Sequence, residues 1–303
     1  MIIVIRLLQG LSYLPLGLLY FISSCCYPFV YYLLRYRHKV VRGNIDRSFP
    51  ELSVKERRKI ERDFYRFFCD YAVETIKLYS MSEEEMRRRM IVDGYQDIED
   101  TLKRKRYVFI YLGHFCNWEW ISSIPLWRTD FNHYCGQLYR PLKNETVDRY
   151  FYYIRSRFGS DNISKYDSLR HILALNQAGT PGVIGFISDQ SPRPNSIHDW
   201  VDFLHQDTPV FTGTERIAKK VDAAIYFADV RRLRRGYYHL HLRKLTEDVR
   251  SYPDYEVTDL YMHELEKIIR RQPHLWLWSH KRWKHQRKHT ATTPSATDGN
   301  QQK

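Results

Sequence analysis

An uncharged, apolar segment near the N-terminus restricts how this chain can fold more than any other feature. No charged side chain occurs from Leu7 to Leu34, and a helix of that length would extend about 42 Å, against roughly 30 Å for the hydrocarbon core of a bilayer. Pro15 and Pro28 are expected to kink the segment or to shorten its ends. We predict a retained membrane anchor, which either spans the bilayer or lies along its surface.

Two other interpretations of this segment are a cleaved signal peptide and a lipoprotein signal, since "ISSC" (22–25) resembles a lipoprotein cleavage box. The apolar run continues past Cys25 through "CYPFVYYLL", however, where a mature secreted chain would usually start polar. Arg6 precedes the segment, whereas four basic residues follow it closely: Arg35, Arg37, Lys39 and Arg42. The positive-inside rule then places the body of the protein in the cytoplasm.

Composition narrows the possible partners and the compartment. The net charge of +13 predicts an anionic partner, either nucleic acid, a membrane surface or an acidic protein. The 24 tyrosines suit a protein that works at a boundary between apolar groups and water. The five cysteines are odd in number and form no C-x-x-C motif, which argues against a disulfide framework or a zinc cluster and favours a reducing compartment.

The rest of the chain reads as alternating strands and helices. Helical spacing predicts helices at about 53–79, 82–90, 117–127, 145–158, 168–178 and 257–272, with another opened by "FTGTERIAKK". Short apolar runs predict strands at 107–112, 133–139 and 182–188, and a hairpin in "AAIYFADVRR" and "YYHLHLRKL". We therefore expect an α/β fold, with a mostly parallel or mixed sheet flanked by helices. The predicted divisions are a membrane anchor (1–36), a catalytic domain (37–286) and a disordered tail (287–303).

The stretch "LGHFCNWEW" (112–120) carries the main chemical hypothesis. Gly113 allows a sharp turn after a strand, and ligands collect at the carboxyl ends of strands in such sheets. His114 and Glu119 would lie about 140° apart on a regular helix, so they can meet only if His114 precedes the helix. A carboxylate beside the ring would make His114 a general base for an alcohol. A lone histidine is more often structural, and a Cys116–His114 nucleophile is a weaker alternative than a buried cysteine.

The other candidate residues have plain alternatives. Asp189 in "FISDQSP" could simply cap a loop, and Arg155 could be solvated on its helix. His239 and His241 share one strand face and have no convincing metal spacing, so no metal site is predicted. The segment "WSHKRWKH" could bind RNA through aromatic stacking and phosphate contacts, but the apolar N-terminus favours membrane-surface anchoring.

Taken together, five motifs resemble those of the bacterial lipid A secondary (lauroyl or myristoyl) acyltransferases, within the lysophospholipid acyltransferase superfamily. They occur in family order: H-F-x-N-W-E, Y-R-P, D-Q-S-P, a T-G-T helix and W-x-W-x-H-x-R-W-K. The resemblance runs from the apolar N-terminus through "NIDRSFPELS" to about Lys284, nearly the whole chain. A glutamate in place of aspartate in the H-x4-D/E motif favours the lipid A branch.

The resemblance implies an inner-membrane enzyme that faces the cytoplasm and uses no cofactor. It would move a fatty acyl group from an acyl carrier protein or coenzyme A thioester to a hydroxyl of a lipid A precursor, with no nucleic-acid partner. His114 becomes the base and Glu119 its partner, and four residues are expected to bind substrate: Arg140, Arg155, Asp189 and Gln190. Ser191 replaces the second acid of the family's D-x-D form, which leaves the role of that position open.

Two rival functions remain open at this point. One is the same chemistry on a lysophospholipid or an amino-acid lipid. The other is a non-catalytic protein that binds the membrane surface. Acyl-chain length and oligomeric state do not follow from the sequence.

Overall fold

The computed structural model of the protein describes residues 1–287. The predicted tail, 287–303, therefore lies outside the described residues except for Arg287. The α-helices are α1 (Ile2–Ser12), α2 (Leu16–Pro28), α3 (His38–Ser48), α4 (Val54–Lys77), α5 (Glu83–Arg89), α6 (Tyr95–Leu102), α7 (Glu145–Ser156), α8 (Ser168–Gln177), α9 (Gly213–Val221) and α10 (Glu256–Arg271). The strands are β1 (Met90–Asp93), β2 (Tyr107–Leu112), β3 (Tyr134–Tyr139), β4 (Asp161–Ser164), β5 (Gly182–Ile187), β6 (Trp200–Phe203), β7 (Gln206–Pro209), β8 (Ala224–Arg234) and β9 (Tyr237–Thr246).

A mixed sheet forms the centre of the fold. Within residues 1–287 it has seven strands in the order β1-β9-β8-β2-β5-β3-β4. Neighbouring strands run parallel, apart from the antiparallel β8–β9 hairpin. All six residues of β2 are buried, as expected of a central strand covered by helices on both faces. The α/β prediction is confirmed, and the short strands β1, β4, β6 and β7 were not anticipated.

The long helix α4 follows from its sequence with little ambiguity. Ser53 and Glu56 form a capping box at its N-terminus, which satisfies amide groups that have no partner within the helix. Phe64 and Phe67 are buried on one side, in line with the apolar spacing. The predicted helix at about 53–79 is confirmed to within two residues at its C-terminal end.

The apolar N-terminal segment is split into two helices. Pro15 ends the turn between α1 and α2, while Pro28 stays helical and leads into a π-helix, Phe29–Leu33. One face of α2 is hydrogen-bonded to α4: the Tyr20 hydroxyl donates to the Glu74 carboxylate at 2.7 Å, and the Ser23 hydroxyl donates to Asp70 at 2.7 Å. The other face is open, with Phe21 65% exposed. Among the described residues one helix, Leu16–Leu33, is long and apolar enough to cross a membrane.

The segment predicted as a helix at 117–127 is instead a 3-10 helix, Trp120–Trp127. Pro125 lies inside it and has no amide hydrogen to donate to an i−4 carbonyl. Asn117 caps its start, because the Asn117 side-chain oxygen accepts from the Trp120 amide at 3.1 Å. The 3-10 helix packs against α7 on one side of the sheet.

Candidate active site

His114 lies just beyond the carboxyl end of β2, at the position that the strand pattern predicted. Its loop is held by the C-terminal segment of the described chain: the Leu277 amide donates to the His114 carbonyl at 3.0 Å, and the Cys116 amide donates to the Leu275 carbonyl at 3.0 Å. Phe115 and Trp276 form a β-bridge between the two segments. The "WLW" motif therefore fixes the backbone of the histidine loop.

Gly113 is required here by close approach. Its φ is not positive, so the turn that we expected from glycine's conformational freedom is not its reason. A Cβ at this position would come within 2.6 Å of Leu265 Cδ1 and 3.3 Å of Asp189 Oδ2. The absence of a side chain lets Asp189 reach the histidine loop.

Asp189, which follows β5, holds both the ring and the backbone of His114. Asp189 Oδ1 lies 2.6 Å from His114 Nδ1, and Oδ2 accepts from the His114 amide at 2.9 Å. Trp276 Nε1 donates to the same Oδ2 at 2.8 Å. Burial alone would raise the pKa of Asp189, but the His114 charge and these hydrogen bonds lower it to about 2. Asp189 is therefore a fixed carboxylate, and it keeps the Nδ1 proton of the ring facing inward.

The other ring nitrogen contacts Gln190. His114 Nε2 lies 3.2 Å from the side-chain amide nitrogen of Gln190, which fits an unprotonated Nε2 that accepts. Trp118 packs edge-on against the ring at 5.2 Å between centroids, and Tyr71 stacks on Trp118 at 4.1 Å. The imidazole is thus held on three sides, and both His114 and Gln190 line the same cavity.

The sequence led us to expect Glu119 beside the His114 ring, and this expectation needs correction. Arg155 of α7 donates to both Glu119 oxygens, from Nε at 2.7 Å and from Nη2 at 2.6 Å. Glu119 is 4% exposed and immediately precedes the 3-10 helix, and its carboxylate is paired with Arg155 of α7. The carboxylate that orients His114 is Asp189, which we had expected to bind substrate.

Arg155 is correspondingly not a solvated surface residue. Burial opposes its charge, but the Glu119 carboxylate beside it raises the pKa of Arg155. Tyr71 contributes a longer hydrogen bond to Glu119, at 3.4 Å. This arrangement brings a fixed, bidentate ion pair to the edge of the cavity.

Cys116 is excluded as a nucleophile. It is completely buried, and burial raises the pKa of its thiol well above the usual range. Its neighbour Asn117 donates to the buried Glu74 carboxylate at 2.7 Å. Between His114 and Glu119, the loop is therefore structural. Among residues 1–287, no group of three or more histidine, cysteine or acidic side chains is placed to hold a metal ion.

A cavity of about 780 Å³ opens below His114. Apolar residues of β2 and β5 and of the 3-10 helix line one part of it, including Ile110, Val183 and Ile124. Cations line the mouth: Arg140, Lys165, Arg193 and Lys284. Burial, followed by the charges of Arg140 and Arg193, lowers the pKa of Lys165. One site thus joins a fixed imidazole, an apolar chamber and a positive rim.

The profile of the bacterial lipid A biosynthesis acyltransferases matches residues 1–285. The chain belongs to this family. It is 24% identical to the lipid A biosynthesis lauroyltransferase of Escherichia coli K12 over 288 residues, which cover 90% of this chain and 91% of that protein. It is also 24% identical to the palmitoleoyltransferase of the same strain and to a lipid A biosynthesis acyltransferase of Shigella flexneri, each over 292 residues, 90% of this chain and 91% of each relative. Family membership makes the chain an O-acyltransferase of lipid A biosynthesis.

Sequence reasoning missed several groups of this candidate site. The Trp276 indole bonds to Asp189, and His280 Nε2 accepts from the Ser191 amide at 3.2 Å. Both residues lie in the W-x-W-x-H motif; the segment "WSHKRWKH", which includes His280, had been expected to anchor the protein at the membrane surface, and no contact with the site had been expected of it. Lys165 and Arg193 also join Arg140 at the rim without any motif to mark them. Only the fold reveals these contacts, because they join segments far apart in the chain.

Proposed function

We propose that this acyltransferase moves a fatty acyl group from an acyl carrier protein thioester to a hydroxyl of a lipid A precursor, with His114 as general base. The observation that carries the proposal is the His114–Asp189 pair: Asp189 holds Nδ1, and Nε2 lies beside Gln190, which lines the same partly apolar cavity as His114. A base near an alcohol and a chamber for a hydrocarbon are what this reaction requires of a protein.

The geometry supports a direct transfer. Asp189 accepts a hydrogen bond from the Nδ1–H group of His114, so Nε2 keeps a lone pair for the acceptor hydroxyl, which takes the place of the Gln190 amide. As the hydroxyl oxygen attacks the thioester carbonyl, its proton passes to Nε2, and the imidazolium that forms is stabilised by the Asp189 charge. Collapse of the tetrahedral intermediate expels the thiolate, which recovers the proton from His114. No acyl-enzyme is needed, which agrees with the burial of Cys116.

We assign Glu119 and Arg155 to the wall of the site. Their paired charges give a polar surface of low mobility beside the reacting groups, and Arg155 remains available to an anionic substrate group on the cavity side. Glu119 therefore affects His114 indirectly, by holding the loop that joins them in place. The proton transfer itself involves His114.

The positive rim suits two anionic substrates. Phosphate groups of a lipid A precursor and the phosphate-bearing arm of an acyl donor would both be attracted to Arg140, Lys165 and Arg193. The chain's net charge of +13 also favours an acidic carrier protein. We place Arg140 and Gln190 among the substrate-binding residues on this basis.

The exposed faces of α1 and α2 support attachment to the inner membrane. Leu7 of α1 and Phe21 of α2 are 62% and 65% exposed, and Leu33 of the π-helix that follows is 70% exposed; uncovered apolar side chains of this size mark an interaction surface. The polar contacts of Tyr20 and Ser23 to α4 keep these helices on the catalytic domain. The basic residues that follow Leu34 favour a catalytic domain on the cytoplasmic side.

A transfer assay with purified protein tests the function. The full chain in detergent is given an acyl carrier protein thioester and a lipid A precursor, and the product is identified by mass. His114→Ala is expected to lower the rate by about 10²- to 10⁴-fold, whereas His263→Ala, at an exposed position on α10, should leave it unchanged. Transfer by folded His114→Ala at the wild-type rate would exclude the base. If the protein acylates a lysophospholipid offered in parallel but not the lipid A precursor, the lipid A precursor is excluded as the acceptor.

A further inference from the structure

The register of the sheet shapes the apolar floor of the cavity. β2 and β5 are paired so that Leu112 lies beside Ile187 and Ile110 lies beside Gly185, and β3 continues the second row from Gly185 to Gln137. All of these residues line the cavity. Since alternate residues of a strand share one face, the floor descends from His114 in steps of about 6.6 Å.

The cavity continues beyond this second row. Val183 and Cys135 are paired one step further from His114, and both line the cavity. Ile124 and Pro125 of the 3-10 helix also line it. A hydrocarbon whose carbonyl lies at His114 must therefore pass over Gly185 to reach this deeper part.

Gly185 keeps the passage open, although a side chain would fit there. A Cβ at Gly185 would have its nearest contacts at 3.7 Å from Gln137 Cβ and 3.8 Å from Leu112 Cδ2, which are ordinary packing distances. Glycine inside a strand lowers stability relative to alanine and often marks a place where a ligand approaches the backbone closely. Since no clash with protein atoms requires glycine here, the space above it is left for something else.

We propose that Gly185 admits the acyl chain of the thioester donor to the deeper part of the cavity, and so allows longer chains than any other residue at this position would. This inference rests on the proposed acyl transfer. Any larger side chain at this position would stand across the floor at the second row and close the part lined by Val183 and Cys135. The names of the relatives do not decide which acyl-chain length this protein prefers. The lauroyltransferase and the palmitoleoyltransferase are named for different acyl groups, and both are 24% identical to this chain.

A competition assay tests the role of Gly185. Equal amounts of octanoyl, decanoyl, lauroyl, myristoyl and palmitoyl carrier-protein thioesters are offered to the wild type, Gly185→Ala and Gly185→Val, and the products are counted by mass. Valine suits a buried strand, so Gly185→Val should fold. Gly182→Ala is the matched control, because Gly182 lies on the same strand outside the cavity lining and its Cβ would meet nothing nearer than 3.5 Å.

Gly185→Val is expected to move the profile toward shorter chains and to retain transfer of the shortest ones. Each excluded methylene should lower the relative kcat/KM by about fourfold, so two lower it by about sixteenfold. Gly185→Ala should shift the profile less and in the same direction, and Gly182→Ala should match the wild type.

Three outcomes would overturn the inference. An unchanged profile in Gly185→Val would do so, as would an equal loss at every chain length in folded protein. If near-UV circular dichroism shows that Gly185→Val does not fold, Gly185→Ala is the deciding variant. An acyl-chain profile of Gly185→Ala identical to that of the wild type would then overturn the inference. Absence of transfer by the wild type itself would instead refute the proposed function, and this inference with it.

Discussion

Asp189→Asn is the substitution that separates the two carboxylates of this site most sharply. The change keeps the shape of the side chain but removes its charge. It also places an amide donor where Asp189 Oδ1 now faces His114 Nδ1 at 2.6 Å. An amide that donates to Nδ1 stabilises the tautomer with its proton on Nε2, and that nitrogen then cannot accept the proton of the acceptor hydroxyl.

The magnitude follows from the contacts. Asp189 receives three hydrogen bonds, but only the one from the ring strengthens when His114 becomes an imidazolium in the transition state. Loss of general-base catalysis lowers the reaction rate by about 10²- to 10⁴-fold. In serine proteases, changing the aspartate that accepts from the histidine Nδ1–H group to asparagine lowers kcat by about 10⁴-fold. We therefore expect a fall of about 10³-fold in kcat, or about 4 kcal/mol in the barrier, with a small change in KM.

The assay is steady-state acyl transfer by the detergent-purified chain, with folding checked by circular dichroism. Trp276→Phe removes one hydrogen bond to Asp189 Oδ2 and leaves the contact between Asp189 and the His114 ring, so it should lower kcat only a few-fold. Asp202→Asn, at an exposed position on β6, should have no effect. A folded Asp189→Asn protein that retains kcat within threefold of the wild type would refute the assignment of Asp189 to His114.

Acid unfolding provides a second readout of the same residue. The pKa of Asp189 falls from its ordinary 3.8 to about 2 on folding, so its ionisation stabilises the folded state above pH 4 and this contribution is lost as the pH falls toward 2. It amounts to about 2 kcal/mol at neutral pH. Urea titrations should show Asp189→Asn less stable than the wild type at pH 7, with the difference shrinking below pH 4.

Three further substitutions test the surroundings. Glu119→Gln leaves the charge of Arg155 without its partner and should cost about 3 kcal/mol in urea titrations; combining it with Arg155→Met should restore stability but not transfer, and full activity of the double variant would make the pair purely structural. Gly113→Ala forces a Cβ to within 2.6 Å of Leu265 and should cost about 1–3 kcal/mol; equal thermal midpoints for Gly113→Ala and wild type would disprove the close approach. Cys116→Ala should keep the transfer rate within twofold, and a large loss in folded protein would reopen a role for the thiol.

The sequence predicted the elements that have strong local signals. The apolar spacing that follows Ser53 located α4, and the run "YVFIYL" located the buried strand β2. Four-residue strands such as β1 and β4 carry too little periodicity to be recognised alone. Pro15 was expected to kink the apolar run, and α2 begins directly after it.

The site was predicted in part, and its error has a physical cause. The sequence placed His114 at a strand end and Glu119 beside its ring, and the family resemblance added Asp189 as a residue that binds substrate. The carboxylate that contacts the ring is decided by how the segments after β2 and β5 direct their side chains. Gly113 also matters, because its missing side chain lets Asp189 approach. The distance along the chain from His114 to Asp189 is 75 residues, and local periodicity carries no information about such a pairing.

The mass of lipid A from living cells tests the central claim most directly. Cells whose own copy of this gene is deleted would carry either the wild-type chain or His114→Ala, at equal amounts in the membrane. We predict that lipid A from the His114→Ala cells lacks one acyl group that the wild-type cells contain. Identical lipid A masses in the two strains would contradict the account.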